Sequence, residues 1–229
     1  WREITGAWLP GVKWSSIIRK HWDFSKWLVG TALLQWFSGN IFILVAAALL
    51  SPLAVGAIRI IQNIMGLLHV LFLAFENIIP LRASQIFHEN GLRSLGLYLG
   101  KMLVKGGLGT LAIGGTVALF GKEIMNLLYE GQHIEFAYLL YGFAGLYVLV
   151  FTGTIIRFAI RTLEKTRLIF ISYIISALVS VLLAQPMITY FGINGVIIGL
   201  VLSQFIIQAY FIYSLRTHWK EICGLSISY

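Results

Sequence analysis

Long apolar stretches alternate with short polar ones along this chain of 229 residues. A stretch of roughly 20 predominantly apolar residues is long enough to cross the hydrocarbon core of a bilayer as an α-helix. Such stretches predict an all-α membrane protein, built as a bundle of six transmembrane helices. The predicted helices cover 27–50, 54–80, 102–120, 136–158, 168–187 and 194–215.

Helix-breaking and polar residues separate these predicted spans. Proline lacks an amide N–H and glycine is conformationally free, so both tend to end a helix. The predicted boundaries are Ser51-Pro52, Pro80, GKEIMNLLYEGQHIE at 121–135, RTLEKTR at 161–167 and YFGING at 190–195.

The two ends of the chain differ from the apolar bundle predicted over 27–215. The segment 1–26 interleaves four tryptophans with lysine and arginine. Indole rings and basic groups together are typical of a segment that lies at the membrane interface among lipid headgroups. We therefore predict an interfacial segment over 1–26 and a short cytoplasmic tail over 216–229.

Composition agrees with a membrane location, since 59% of the residues are hydrophobic and 11% are charged. Soluble domains have about 25% charged residues. The net charge of +8 does not indicate nucleic-acid binding, because the basic residues lie between apolar spans rather than along one soluble face.

The basic residues are concentrated on one predicted side of the membrane. They occur before the first span, in the predicted loop 81–101, in the turn 157–167 and in the tail, whereas the opposite side has Lys122 beside several glutamates. Loops rich in Lys and Arg stay in the cytoplasm. Both termini are therefore predicted to be cytoplasmic, in a multi-pass membrane protein.

The second predicted span has an unusual polar face. At about 100° per residue, its six polar side chains fit within an arc of about 140°, opposite an apolar back. A charge at the centre of a bilayer costs roughly 2.5–3.5 kcal/mol on insertion scales, so charges at this depth usually face a partner or a hydrated cavity. We therefore expect a cavity beside Arg59, Gln62, Asn63, His69, Glu76 and Asn77.

Five of the polar residues are candidates for binding a substrate in that cavity: Arg59, Gln62, Asn63 and Asn77, with Gln35 from the first span. Two alternatives remain for the charged groups. Arg59 lies about one turn from the end of its helix and could extend to the interface. Glu76 could couple transport to an ion, or form an ion pair with Arg82.

The sequence contains no pattern that predicts catalysis. It has no phosphate loop of the GxxxxGK[ST] type and its five histidines lack metal-ligand spacing. Cys223 is the single cysteine. Glu76 and His69 could in principle serve a membrane-embedded transferase. We expect no enzyme, no cofactor and no metal site.

Three segments resemble bacterial polysaccharide flippases. HWDFSKWLVGTALLQWFSGNIFILVAAALLSPLAVGAIRIIQNIMGLLHVLFLAFENIIP at 21–80 is similar to the start of their second half. FGKEIMNLLYEG at 120–131 is similar to the family's outer loop after a third helix. FGINGVIIGLVLSQ at 191–204 is similar to its penultimate turn and last helix. The chain is thus identified as similar to the Wzx-like O-antigen translocases of the multidrug/oligosaccharidyl-lipid/polysaccharide (MOP) exporter superfamily.

This resemblance implies a fold, a substrate and partners. Members have twelve helices in two six-helix bundles around a central cavity, so the chain would be a C-terminal half that works with the missing N-terminal half or a second copy. Alternating access would move a sugar linked to undecaprenyl pyrophosphate out of the cytoplasm. Arg59 would face the cavity and attract the anionic headgroup. Membrane lipids would be the other partners, and no nucleic acid is implied.

Two other functions remain open at this stage. A multidrug or cation antiporter of the same superfamily would favour acidic and aromatic cavity groups over Arg59 and amides. A membrane scaffold or remnant without transport activity would need no cavity chemistry at all.

Overall fold

A computed structural model describes residues 14–217, and every regular element in this range is a helix. The all-α fold class is therefore confirmed, and each predicted span is helical over most of its length. The elements are α1 (Trp14–Leu49), α2 (Pro52–Leu119), α3 (Gly121–Tyr129), a short 3-10 helix (Ile134–Phe136), α4 (Leu139–Thr162), α5 (Thr166–Phe191) and α6 (Ile193–Thr217).

Within residues 14–217, five helices are long and apolar enough to cross a membrane: the Val29–Leu49 part of α1, then α2, α4, α5 and α6. Their outward faces carry large apolar side chains, and Leu182 on α5 is 73% exposed. Extensive exposed apolar surface is unfavourable in water and suits contact with lipid. The chain is a multi-pass helical membrane protein by the length and composition of these helices.

The 68-residue α2 turns back on itself at Gly91. The φ of 72° and ψ of −173° at Gly91 lie in a region that is essentially restricted to glycine. Leu68 Cδ1 lies 3.4 Å from the position that a Cβ on Gly114 would take, whereas an unbroken helix would separate these two residues by about 69 Å. The first arm (52–90) and the second arm (92–119) therefore lie side by side and antiparallel.

The prediction that the second span ends at Pro80, with a loop over 81–101, is wrong. The helix continues through Pro80, and Gly91 is the residue within α2 that leaves helical geometry. Proline removes one backbone hydrogen bond, but Ile79 and Ala83 on either side of it are buried in one core cluster with Phe158 of α4. Packing against α4 keeps this region helical.

The other boundaries differ less from the predictions. The polar run 121–135 contains α3 and the start of the 3-10 helix, and Met125 of α3 is fully buried. The helix α1 begins at Trp14, so residues 14–26 continue directly into the first span. Residues 1–13 and 218–229 lie outside the described part of the chain, so the predictions for the interfacial segment and the tail stay predictions there.

The helix α4 is the central element of the packing. It contacts α2 along most of its length, and α5 packs between α1 and α6. Residues of α4 belong to all three clusters of buried apolar side chains, with Phe143 in the first, Phe151 in the second and Ile160 in the third. The polar side chains of Thr154 and Arg157 lie on the buried side of α4 and are directed into the protein.

Candidate functional site

A cavity of about 250 Å³, partly open to the surface, is lined by residues of α1, α2, α4, α5 and α6. Apolar side chains such as Phe143, Leu200 and Phe211 form part of its wall. Its polar lining consists of amide, hydroxyl, imidazole, phenol and guanidinium groups, from Gln35, Ser38, Gln62, His69, Tyr147, Arg157, Tyr173, Ser203 and Gln204.

Arg157 contributes a buried positive charge to this cavity, since its side chain is only 11% exposed. Nη1 donates a hydrogen bond of 2.7 Å to the hydroxyl of Tyr173 on α5, and Nη2 donates one of 2.7 Å to Oγ1 of Thr154. Thr154 precedes Arg157 by three residues, so the two side chains lie on the same face of α4. These hydroxyls fix the guanidinium group in one orientation without neutralising it.

An acidic group, Glu76 of the first arm of α2, lies beside Arg157, with 4.0 Å between Nη2 and Oε1. This distance is at the limit of an ion pair and beyond a hydrogen bond. The Glu76 side chain is 41% exposed. The two charges are close enough to attract each other, but the carboxylate does not occupy the guanidinium's hydrogen-bonding positions.

The suggested ion pair between Glu76 and Arg82 is not formed. Side chains meet across a helix when they are three or four residues apart, and six residues place these two on different faces of the first arm. Arg157 takes the position beside Glu76 that the sequence analysis gave to Arg82. Arg82 is exposed.

Two of the five candidate substrate-binding residues line the cavity. Gln35 of α1 and Gln62 of α2 lie in its wall, together with His69 from the same polar face of α2. The structure thus brings Gln35 and Gln62 together with the guanidinium of Arg157, although no sequence spacing links these three residues.

The other three candidates are exposed and do not line this cavity. Arg59 lies beside it, because Nη1 of Arg59 donates a 3.3 Å hydrogen bond to Oε1 of Gln62. The Asn77 amide donates a 3.0 Å hydrogen bond to the carbonyl of Leu73 in its own helix. Asn63 completes the exposed polar strip on the first arm.

Hydroxyl pairs tie the helices together around the cavity. Ser38 of α1 and Ser176 of α5 lie 2.9 Å apart, and Ser180 of α5 and Ser203 of α6 are also 2.9 Å apart. All four hydroxyls are buried. Interhelical hydrogen bonds of this kind hold membrane helices at a fixed spacing, so the wall formed by α1, α5 and α6 is well defined.

Sequence analysis missed Arg157 as a site residue, because it was counted with the cytoplasmic basic residues of the 157–167 turn. A signal was present: 157 falls inside the predicted span 136–158, one turn after Gly153 and Thr154. Charged residues within a span mark functional sites more often than flanking ones do. The position of Tyr173 opposite Arg157 depends on how α5 packs on α4, which no spacing reveals.

Comparison of the chain with family models, with curated proteins and with solved structures finds no match. Among residues 14–217, no three His, Cys, Asp or Glu side chains come together as a group that could hold a metal ion. The candidate site is therefore defined by its own geometry: a polar cavity with one buried, hydroxyl-bound guanidinium and a carboxylate beside it.

Proposed function

We propose that the chain is a membrane transporter, or the C-terminal half of one, that moves a lipid-linked oligosaccharide across a bacterial cytoplasmic membrane by alternating access. The observation that carries this proposal is Arg157, a buried arginine in the wall of a polar cavity between apolar helices. An anionic headgroup must leave water to cross a bilayer, and a fixed positive charge compensates for that loss. Amide and hydroxyl groups nearby offer hydrogen bonds to sugars.

The proposed substrate is a sugar attached to a polyprenyl pyrophosphate, which agrees with the resemblance of 21–80, 120–131 and 191–204 to Wzx-like flippases. A pyrophosphate presents several acceptor oxygens to a guanidinium group, whose planar set of donors binds phosphate in a bidentate manner. Transport of this kind breaks no covalent bond, so the site needs binding groups rather than a nucleophile or a general base.

We also propose that the chain forms a six-helix bundle, with the two arms of α2 as separate spans, and that it pairs with a second bundle. The exposed polar strip of Arg59, Asn63 and Asn77 supports a partner, since an arginine facing lipid is costly. The second bundle would be an N-terminal half or another copy of this chain.

Cytoplasmic termini remain part of the proposal after Arg157 is assigned to the cavity. Arg161, Lys165 and Arg167 still mark the α4–α5 turn as basic, whereas Lys122 lies among glutamates at the other end. A cation exporter is the weaker alternative, because the buried charge in the cavity wall is positive.

The test is export of surface glycan in a strain that lacks the native gene and is complemented by variants of the whole protein. We expect Arg157→Met to reduce surface glycan at least tenfold at unchanged protein abundance, because the side chain keeps its length and loses its charge. Arg167→Met is the matched control, since Arg167 is exposed and outside the cavity. Export at the control level by Arg157→Met would refute the proposal.

A further inference from the structure

The hydrogen bonds of Arg157 leave part of its guanidinium group unused. Arginine has five N–H donors. The hydroxyls of Tyr173 and Thr154 accept one hydrogen bond each, and both acceptors are neutral. Among the side chains that the structure describes, no carboxylate lies within hydrogen-bonding distance of the remaining donors, and Glu76 Oε1 is 4.0 Å from Nη2.

Glu76 is the more exposed member of this pair. Its side chain is 41% exposed, whereas that of Arg157 is 11% exposed. Glu76 also lies four residues before Pro80, and the missing N–H of Pro80 removes the backbone hydrogen bond that the Glu76 carbonyl would otherwise accept. A carboxylate at a locally weakened point of a helix is able to move at a lower cost than the buried guanidinium.

The cavity gives a ligand its own route to Arg157. Arg157, Tyr173 and Gln62 line the cavity, and Glu76 does not. An anion in the cavity therefore approaches the guanidinium from a side that the carboxylate does not cover. Once bound in hydrogen-bonding distance, it would hold Arg157 more strongly than a carboxylate 4.0 Å away.

We propose that Glu76 is a displaceable counterion of Arg157, which neutralises the empty site and is replaced when a phosphate-type anion binds from the cavity. This inference rests on the proposed function for the nature of the natural ligand, and it concerns the regulation of the same site. Glu76 lowers the affinity for the anion, because its negative charge repels the anion and attracts the same guanidinium. Weaker binding in turn favours release of the anion after transport.

The experiment measures binding of inorganic pyrophosphate to the purified whole chain in lipid nanodiscs by titration calorimetry. We expect Glu76→Gln to bind about tenfold more tightly than the wild type, because glutamine keeps the shape and removes the competing charge. Glu76→Asp, in which the carboxylate is one methylene shorter, should give a smaller gain. Arg157→Met should not bind, with or without Glu76→Gln.

The matched control is Glu89→Gln, which removes an exposed carboxylate from the same arm of α2 away from the cavity. It should leave pyrophosphate affinity within about twofold of the wild type, which excludes a general effect of net charge. A second set of titrations uses a polyprenyl pyrophosphate in the nanodisc. Tighter binding of the polyprenyl pyrophosphate alone by Glu76→Gln supports the inference for a lipid-linked anion. Tighter binding of inorganic pyrophosphate alone supports it for a free anion.

Three outcomes would overturn the inference: unchanged or weaker binding by both Glu76 variants, equal tightening by Glu89→Gln, or no binding of either probe by any variant. A purely structural ion pair predicts the first outcome, together with a lower melting temperature. The proposed function fails separately. Loss of glycan export in Arg157→Met without tighter anion binding in Glu76→Gln would support the transporter and reject the counterion. Normal export in Arg157→Met with tighter anion binding in Glu76→Gln would support the counterion and reject the transporter.

Discussion

At the scale of single residues, two arginines near the cavity have different environments. Arg157 is buried and held by two hydroxyls at 2.7 Å, whereas Arg59 is exposed and donates a longer bond of 3.3 Å to Gln62. The fixed arginine suits direct binding of an anion. The exposed one suits attraction of the anion towards the cavity, since its guanidinium remains free to turn towards an approaching group.

We predict that Arg59→Ala lowers glycan export severalfold, but less than Arg157→Met does, with normal membrane insertion. Removing a charge from the first arm of α2 does not make insertion harder. Arg59→Lys should restore part of the export, because lysine keeps the charge but cannot bind phosphate in a bidentate manner. Surface glycan is measured at equal protein abundance, with Arg216→Ala on α6 as the control. Wild-type export by Arg59→Ala would show that Arg59 merely extends to the interface.

The polar positions of the cavity were only partly predictable from sequence. Helical periodicity predicts a polar face that includes Gln62, and the structure places Gln62 and Gln35 in the wall of the same cavity. Periodicity acts within one helix, so it does not specify which face of α4 meets α5. Only the packing of α4 on α5 brings Arg157 and Tyr173 together. From the sequence, a basic residue near a turn is expected to be one of the cytoplasmic residues that orient the chain in the membrane.

At the scale of elements, close packing of the second arm of α2 against α4 depends on glycine. A Cβ on Gly106 would overlap the ring of Phe151, whereas a Cβ on the neighbouring Gly107 meets nothing within 4 Å. The ring of Phe151 cannot move freely, because the rings of Phe72 and Phe75 are centred 5.5 and 5.6 Å away. Small residues at helix interfaces allow such close approach.

We predict that Gly106→Ala destabilises the protein by about 1–3 kcal/mol, the usual cost of overpacking a filled core. Gly107→Ala is the matched control and should lie within about 1 kcal/mol of the wild type, since alanine is the better helix former and has open space there. Thermal unfolding in detergent, followed by circular dichroism, compares the two variants. Equal melting temperatures for both would mean that the second arm does not pack on Phe151 as closely as described.

Helix boundaries were predicted well where a helix-breaking residue lies at the end of a packed segment, and poorly where such a residue lies inside one. Ser51 caps α2, and its side chain accepts a 3.3 Å hydrogen bond from the amide of Ala54. Pro80 has no such role, because buried neighbours on both sides hold the helix to α4. The turn occurs instead at Gly91, where the chain needs a positive φ. Propensity alone ranks proline above glycine as a breaker, so tertiary packing decided this boundary.

At the scale of the whole molecule, contacts between segments that are distant in sequence show which residues lie at each of its two ends. Gly56, near the start of α2, lies against the His133 ring in the segment before α4. At the other end, His88 and Glu164 line a second cavity of about 210 Å³ between the first arm of α2 and the α4–α5 turn. The first arm therefore extends from one end of the molecule to the other, and α4 runs alongside it.

The last prediction concerns the orientation of these ends in the membrane, tested by single cysteines in a Cys223→Ser background. We expect a membrane-impermeant maleimide added to intact spheroplasts to label Asn126→Cys, on α3, and not Glu89→Cys or Glu164→Cys. All three positions are exposed, so differences in labelling report sidedness rather than burial. Lysis should make residues 89 and 164 reactive, because the basic α4–α5 turn and the Gly91 end of α2 are expected in the cytoplasm. Labelling of 89 and 126 from the same side would show that the second arm does not cross the membrane, and would reduce the six proposed spans to five.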